Sequence, residues 1–220
     1  MDAAAFVEQL GAKNQEVLNR LAPAETLVAE SGGDLRLENL LKIALRNEME
    51  ATEIAARWLT STEDVETKLA LARQAGDEAK HYRLIQDHLQ NDLGVDLSDF
   101  NPLEPGIGPL TAYLDTLDDT VERVAAGQFT RESIAVVKNQ QFIEYCEAYG
   151  HTATAALYRD TIQQDEEYHH LLGRQLLLRL ATTPEAQERA EAAAQRTLEL
   201  AEELQHLALT KMGVHHAPGC

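Results

Sequence analysis

The chain has little of what marks several common protein classes. Its 220 residues include two cysteines, Cys146 and Cys220, which are far apart. Two such residues make no framework of bridges, and a reducing cytoplasm is the simplest setting. No apolar run approaches the ~20 residues that span a bilayer. The first residues, Met1-Asp2-Ala3-Ala4-Ala5-Phe6, lack a basic stretch followed by an apolar one. Neither a membrane span nor a secretory leader is expected. Basic residues are scarce as well: 19 Lys and Arg stand against 37 Asp and Glu, a net charge of −18. Such a surface repels nucleic acid and anionic membrane, which excludes both as partners, while it tolerates cations. Aromatic residues are 5% of the chain.

What is abundant is Ala, Leu, Glu, Gln and Arg, a mixture that favours helix. The length suits one domain, residues 1–220, with one core. Periodicity and breakers divide it into six helices. The first covers about Ala3 to Leu21, before Pro23 and the break Ser31-Gly32-Gly33-Asp34. The second covers about Leu35 to Leu59, and the third about Glu63 to Gln90. The turn Thr60-Ser61-Thr62-Glu63 between them has a hydroxyl three residues before an acid, as capping needs. Residues 91–109 are rich in Gly and Pro and read as a long crossover. A fourth helix, about Leu110 to Tyr149, kinks at Gly127 and stops at Gly150. The fifth covers about Thr152 to Ala181. The sixth opens at Thr183-Pro184 and runs to about Met212, before a tail, 213–220, expected to lack structure. Two helix hairpins joined by one long crossover are the layout of a ferritin-like four-helix bundle, here over residues 35–181 with extra helices at 3–21 and 184–212.

The run Asp77-Glu78-Ala79-Lys80-His81 returns 88 residues later as Asp165-Glu166-Glu167-Tyr168-His169. Glu and His three apart on a helix share a face, which makes half of a metal site. The buried stripes place the rest. They read Leu37, Leu41, Ala44, Glu48, Ala51, Ala55, Trp58 in the second helix and Leu71, Ala75, Glu78, Tyr82, Ile85, Leu89 in the third. The fourth gives Ala125, Gln128, Glu132, Val136, Asn139, Ile143, Cys146, and the fifth Ala155, Ile162, Glu166, His169, Gly173, Leu176, Leu180. A glutamate interrupts each stripe near its middle. In an antiparallel hairpin, residues equidistant from the turn lie at one height. The midpoint of 48 and 78 is 63, and that of 132 and 166 is 149, each beside a turn. Glu48 is therefore expected opposite Glu78, and Glu132 opposite Glu166. Glu50 and Glu53 fall off the stripe, and Glu144 and Glu147 lie too near a turn. Glu167 with His170 has the right spacing on a face that reads as solvated.

Four buried carboxylates need counter-charge, because an unpaired buried ion costs several kcal/mol. Two divalent cations carry +4 against −4, with two neutral imidazoles completing an oxygen-rich set that suits iron or manganese. Asp77 and Asp165 can each fix a histidine tautomer through its other ring nitrogen; which histidine each reaches stays open. Asn139 lies one helical repeat past Glu132, where it can line a cavity or bond within the bundle. His88, His151 and His206 read as surface groups, and Cys146 as a buried, inert thiol. Tyr82, Tyr145, Tyr149, Tyr168 and Trp58 read as packing, with electron relay as the alternative. The sixth helix covers the bundle or pairs with a second copy, giving a homodimer.

These residues resemble the ferritin-like superfamily of di-metal carboxylate proteins over about residues 35–181. The family pattern of Glu, Glu-x-x-His, Glu, Glu-x-x-His is here Glu48, Glu78 with His81, Glu132, and Glu166 with His169. Rubrerythrins are similar in ligands but usually add a Cys-x-x-Cys module, absent here. Bacterioferritins share the pattern in a shorter chain. Aldehyde-deformylating oxygenases are similar in size and in added helices. The resemblance implies an oxidoreductase that uses two iron ions to activate dioxygen for oxidation of a small organic substrate. Glu78 and Glu166 would bridge, and Glu48 and Glu132 would be terminal. Ala51, Ala75 and Gly173 would leave room for substrate. With no flavin or iron–sulfur motif in the chain, electrons would come from a separate donor. Ferroxidase, iron storage or peroxide removal is the alternative.

Overall fold

The computed structural model describes residues 1–22, 27 and 36–211. These form seven helices with no strand among the described residues. Helix α1 is Ala3–Leu21, α2 is Leu37–Ser61, and α3 is Val65–Asp87 continued by a π-helical turn, His88–Asp92. A short α4, Pro109–Leu114, follows the crossover. Helix α5 is Thr120–Val124, a π segment Ala125–Arg131, then Glu132–Ala148. Helix α6 is Thr152–Leu157, a π turn Tyr158–Ile162, then Gln163–Leu180; α7 is Pro184–Lys211. The expected break at Ser31–Asp34, the tail with His215, His216 and Cys220, and Pro23 lie outside the described residues.

Local chemistry accounts for most boundaries. Asp2 caps α1 by accepting from Ala5 N at 2.8 Å. Asp64, not a hydroxyl of the preceding turn, caps α3, accepting from both Thr67 N and Thr67 Oγ1 at 2.8 Å. Thr62 instead closes α2. Gly150, with φ 79°, supplies the left-handed residue that ends α5, and His151 N donates back to Cys146 O at 2.7 Å. The fourth expected helix is not continuous. Asp119 starts a new helix by accepting from Val121 N at 2.8 Å, and Arg123 Nε holds the interruption by donating to Leu117 O at 2.7 Å.

Glu50, expected to lie off the buried stripe, is buried. It anchors the end of the crossover, accepting from Arg46 Nε at 2.8 Å, Gly108 N at 3.2 Å and the Thr111 hydroxyl. His88 is likewise not a surface group. It is buried between Asp92 Oδ2, 2.7 Å from Nδ1, and Thr154 Oγ1, 2.8 Å from Nε2, and so ties the end of α3 to the start of α6.

The apolar core forms clusters above and below one level. One combines Leu41, Ala44 and Leu45 of α2, Ile85 and Leu89 of α3, Phe142 and Cys146 of α5, and Tyr158 and Ile162 of α6. Another combines Ala55 and Trp58 of α2, Leu71 of α3 and Ala126 of α5. A third packs Val124 and Phe129 of α5 and Leu176 and Leu177 of α6 against α1 and α7. Along each of α2, α3, α5 and α6, the motif acids fall between these layers. Helix α7 covers the bundle through Ala190, Ala194 and Leu198.

Where a kink was expected at Gly127, α5 runs as a π segment seated on Trp58. A Cβ at Gly127 would lie 2.6 Å from Trp58 Cζ3. Gly173 approaches the same segment from α6. A Cβ there would lie 2.6 Å from Gln128 C and Phe129 N. The space that Gly173 was expected to leave for a substrate is therefore filled by backbone. Gly173→Ala must push two helices apart and is expected to destabilise the fold by about 1–3 kcal/mol, read as a lower midpoint in thermal melts.

Candidate metal centre

The six side chains singled out by the duplicated motif converge. Glu48, Glu78, His81 and Glu166 each present a donor atom within 4.8 Å of the others, and so do Glu78, Glu132, Glu166 and His169. All six residues are at most 2% exposed, so bulk water is excluded. The two sets share Glu78 and Glu166, and each shared carboxylate divides its oxygens between them. Glu78 Oε2 lies 3.3 Å from His81 Nδ1, and Glu78 Oε1 lies 3.6 Å from His169 Nδ1. Glu166 Oε1 lies 3.6 Å from His81 Nδ1, and Glu166 Oε2 lies 3.4 Å from His169 Nδ1. Glu48 Oε2, 3.4 Å from His81 Nδ1, belongs to one set only.

The imidazoles are held from outside by crossed pairs. His81 Nε2 on α3 lies 3.1 Å from Asp165 Oδ2 on α6, and His169 Nε2 on α6 lies 3.1 Å from Asp77 Oδ2 on α3. A carboxylate only accepts, so each histidine carries a proton on Nε2, and Nδ1 turns inward. Lys80 in turn donates to Asp165, and Arg73 Nε donates to Asp77 at 3.2 Å. Arg73 also lies over the Tyr168 ring, 4.0 Å from its centroid. The acid preceding each Glu-x-x-His thus serves the other motif's histidine, which settles what the spacing left open.

Burial pushes Glu48 up to about 7 and Glu166 well above the carboxylate range. Burial opposes the charge of Glu78 too, but His81, His169 and Arg131 overcome it and hold Glu78 at about 2. Burial also opposes the His81 charge, yet Glu48, Glu78 and Glu166 raise it to about 12. Protons therefore do the work of counter-charge in the metal-free fold. They do it incompletely. Glu48 Oε1, Glu78 Oε2, His81 Nδ1 and Glu166 Oε1 are buried with no hydrogen-bond partner. His81 Nδ1 is close to three carboxylates but aligned with none. Buried polar atoms without partners are rare, and four facing one centre fit a missing cation. Oxygen and imidazole donors in this ratio can hold a divalent metal ion.

Several site residues escape the stripe reading. Arg131, 3% exposed, places Nη1 3.6 Å from Glu132 Oε1 and adds a fixed positive charge. The balance of +4 against −4 is therefore shifted by one. Gln74 Nε2 donates to Glu132 Oε1 at 2.5 Å. Tyr158 is fully buried with its hydroxyl unpartnered, its ionisation opposed first by burial and then by Glu48, Cys146 and Glu166. Its signal was present: 158 is the missing step between 155 and 162 in the α6 stripe. Gln74 sits four residues before Glu78 on the same face, a spacing that marks it in retrospect.

Glu167 is exposed, whereas His170 is half-buried: its Nδ1 lies 2.7 Å from Phe129 O and its ring stacks on Phe129. The cover supplied by the α5 π segment explains the difference. Glu53 is half-buried, and Glu144 and Glu147 are exposed. Cys146 is buried, and burial pushes its thiol up to about 12, as expected of an inert group. Tyr145 stacks on Phe142 and Tyr149, while Tyr149 and Tyr168 reach the surface. No described helix is long and apolar enough to cross a membrane. Compared with protein-family models and with curated proteins, the chain matches none.

Proposed function

We propose that the chain is a ferritin-like di-metal oxidoreductase. In this reading two iron ions, or manganese in their place, are held by Glu48, Glu78, His81, Glu132, Glu166 and His169. The centre activates dioxygen to oxidise a small organic substrate. The observation that carries the reading is the pair of overlapping donor sets with Glu78 and Glu166 split between them. Two ferrous ions, when bound, would supply the two electrons that dioxygen takes up in its first reduction. The protein residues do the remaining work. Glu78 and Glu166 would each offer one oxygen to either ion. Asp77 and Asp165 hold the histidine Nε2 protons and so present Nδ1 for coordination. The apolar layers above and below keep water from reactive species. Electrons for repeated turnover come from a separate donor, because the chain carries no flavin or iron–sulfur motif.

The test is anaerobic loading with ferrous iron, followed by exposure to dioxygen while absorbance and oxygen uptake are recorded, with and without candidate organic compounds. Two irons per chain and oxygen uptake faster than that of free ferrous ion are expected. Uptake no faster than free iron rejects the reading. A monomer or dimer by light scattering fits an oxygenase, whereas a cage of many subunits turns the assignment to iron storage.

A further inference from the structure

The two halves of the centre share Glu78 and Glu166 yet differ in how far their donors are already engaged. In the His81 half, every member has an unpartnered buried atom: Glu48 Oε1, Glu78 Oε2, His81 Nδ1 and Glu166 Oε1. Among the described residues, no lysine or arginine pairs with Glu48. The His169 half is engaged. Glu132 Oε1 accepts from Gln74 Nε2 at 2.5 Å and lies 3.6 Å from the buried Arg131 guanidinium. His169 Nδ1, 3.4 Å from Glu166 Oε2, stands no closer to its carboxylates than His81 Nδ1 does, so the difference between the halves lies at Glu132. A cation entering this half must displace existing contacts and sit near a fixed positive charge in a medium that screens poorly.

We propose that the centre fills in order: the first divalent ion takes the His81 position, and Arg131 keeps the His169 position as the weaker, exchangeable one. This rests on the reading of the six residues as a metal site. Arg131 is a positioning residue in this scheme, acting on the second metal through charge and through Glu132. The consequence is a graded response to metal supply. When metal is scarce the protein holds one ion and no pair, and it becomes a two-metal protein only above a threshold set by Arg131.

The experiment is a titration of metal-free full-length protein with Mn²⁺, followed by electron paramagnetic resonance and equilibrium dialysis. Up to one equivalent, the six-line signal of isolated bound Mn²⁺ is expected. Between one and two equivalents it should give way to a spin-coupled pair, with a second dissociation constant at least about tenfold weaker than the first. Arg131→Gln should strengthen the second step by about tenfold, so that pairs form before one equivalent is reached, whereas Arg131→Lys should keep the steps apart. Glu132→Gln removes the second step and leaves the first, and this guards against an Arg131 variant that fails to fold. Spin-coupled pairs from the first addition to the unaltered protein overturn the proposal. So does a weaker second step in Arg131→Gln, or loss of the first step in Glu132→Gln. Absence of any bound Mn²⁺ in the unaltered protein rejects the metal-centre reading itself, and is thereby distinguished from a failure of ordered filling.

Discussion

Glu78→Ala or Glu166→Ala is expected to abolish binding of a metal pair, while Glu167→Ala leaves it intact. Glu78 and Glu166 occur in both donor sets, so either substitution takes one oxygen from each metal position. Glu167, one residue along α6, is exposed and belongs to neither set. The contrast between neighbours is what makes the measurement decisive. Metal per chain, by elemental analysis after loading and desalting, should fall from about two to below one in both ligand variants, as loss of shared ligands requires. Asp77→Asn and Asp165→Asn give an intermediate effect. They leave all six inward donors in place but replace a pure acceptor by an amide that can offer hydrogens to Nε2. Such outer partners typically change metal affinity by ~10–100-fold. Equal losses in Glu166→Ala and Glu167→Ala would show that the inward face of α6 is wrongly assigned.

The parts of this site visible in the sequence are those fixed by helix period and hairpin symmetry. Glu48, Glu78, Glu132 and Glu166 interrupt apolar stripes at matching distances from short turns, and packing then leaves them little choice of height. His81 and His169 follow, because three residues is nearly one turn. What was not visible depends on contacts between helices. Whether Asp165 reaches His81 or His169 depends on the offset of α3 against α6, which period alone does not give. The π segments of α5 and α6 interrupt the α-helical period, and that of α5 is tightly packed: Gly127 meets the Trp58 ring, and Gly173 lets α6 close on the same backbone. A uniform step of 3.6 residues cannot register them, and they lie immediately before Glu132 and four residues before Glu166, where a change of phase re-aims side chains. Arg131 falls in the first of these segments, where the stripe period does not show that it is buried. His88 and Glu50 were misplaced for a related reason: each is buried by a partner remote in sequence, Thr154 and the 108–111 segment.

Stripping the metal should lower thermal stability, and the deficit should widen as pH rises. The sign follows from where protons sit. In the metal-free fold Glu48 titrates near 7, above its ordinary 4.5, because burial disfavours its charge. Between those values the folded chain holds a proton that the unfolded chain has released, so raising pH favours unfolding. His81, held up to about 12 against an ordinary 6.5, acts in the same direction. Its stabilisation is complete below 6.5 and is lost progressively as pH rises towards the folded value. Glu78, held at about 2, works oppositely, but its loss lies below 4.5 and outside a window from pH 5 to 8. At roughly 1.4 kcal/mol per proton per pH unit, Glu48 alone removes about 3 kcal/mol by pH 7. For a chain of this size that is a fall in melting midpoint of about 10 °C. Bound cations replace those protons, so the loaded protein should show no such fall, and at a free metal concentration of 100 times the dissociation constant binding adds about 2.7 kcal/mol. Calorimetric scans at pH 5 and pH 8, each with and without chelator, measure both effects together. Coincident melts at both pH values would mean that the buried acids have no use for a cation, and the metal centre would have to be abandoned.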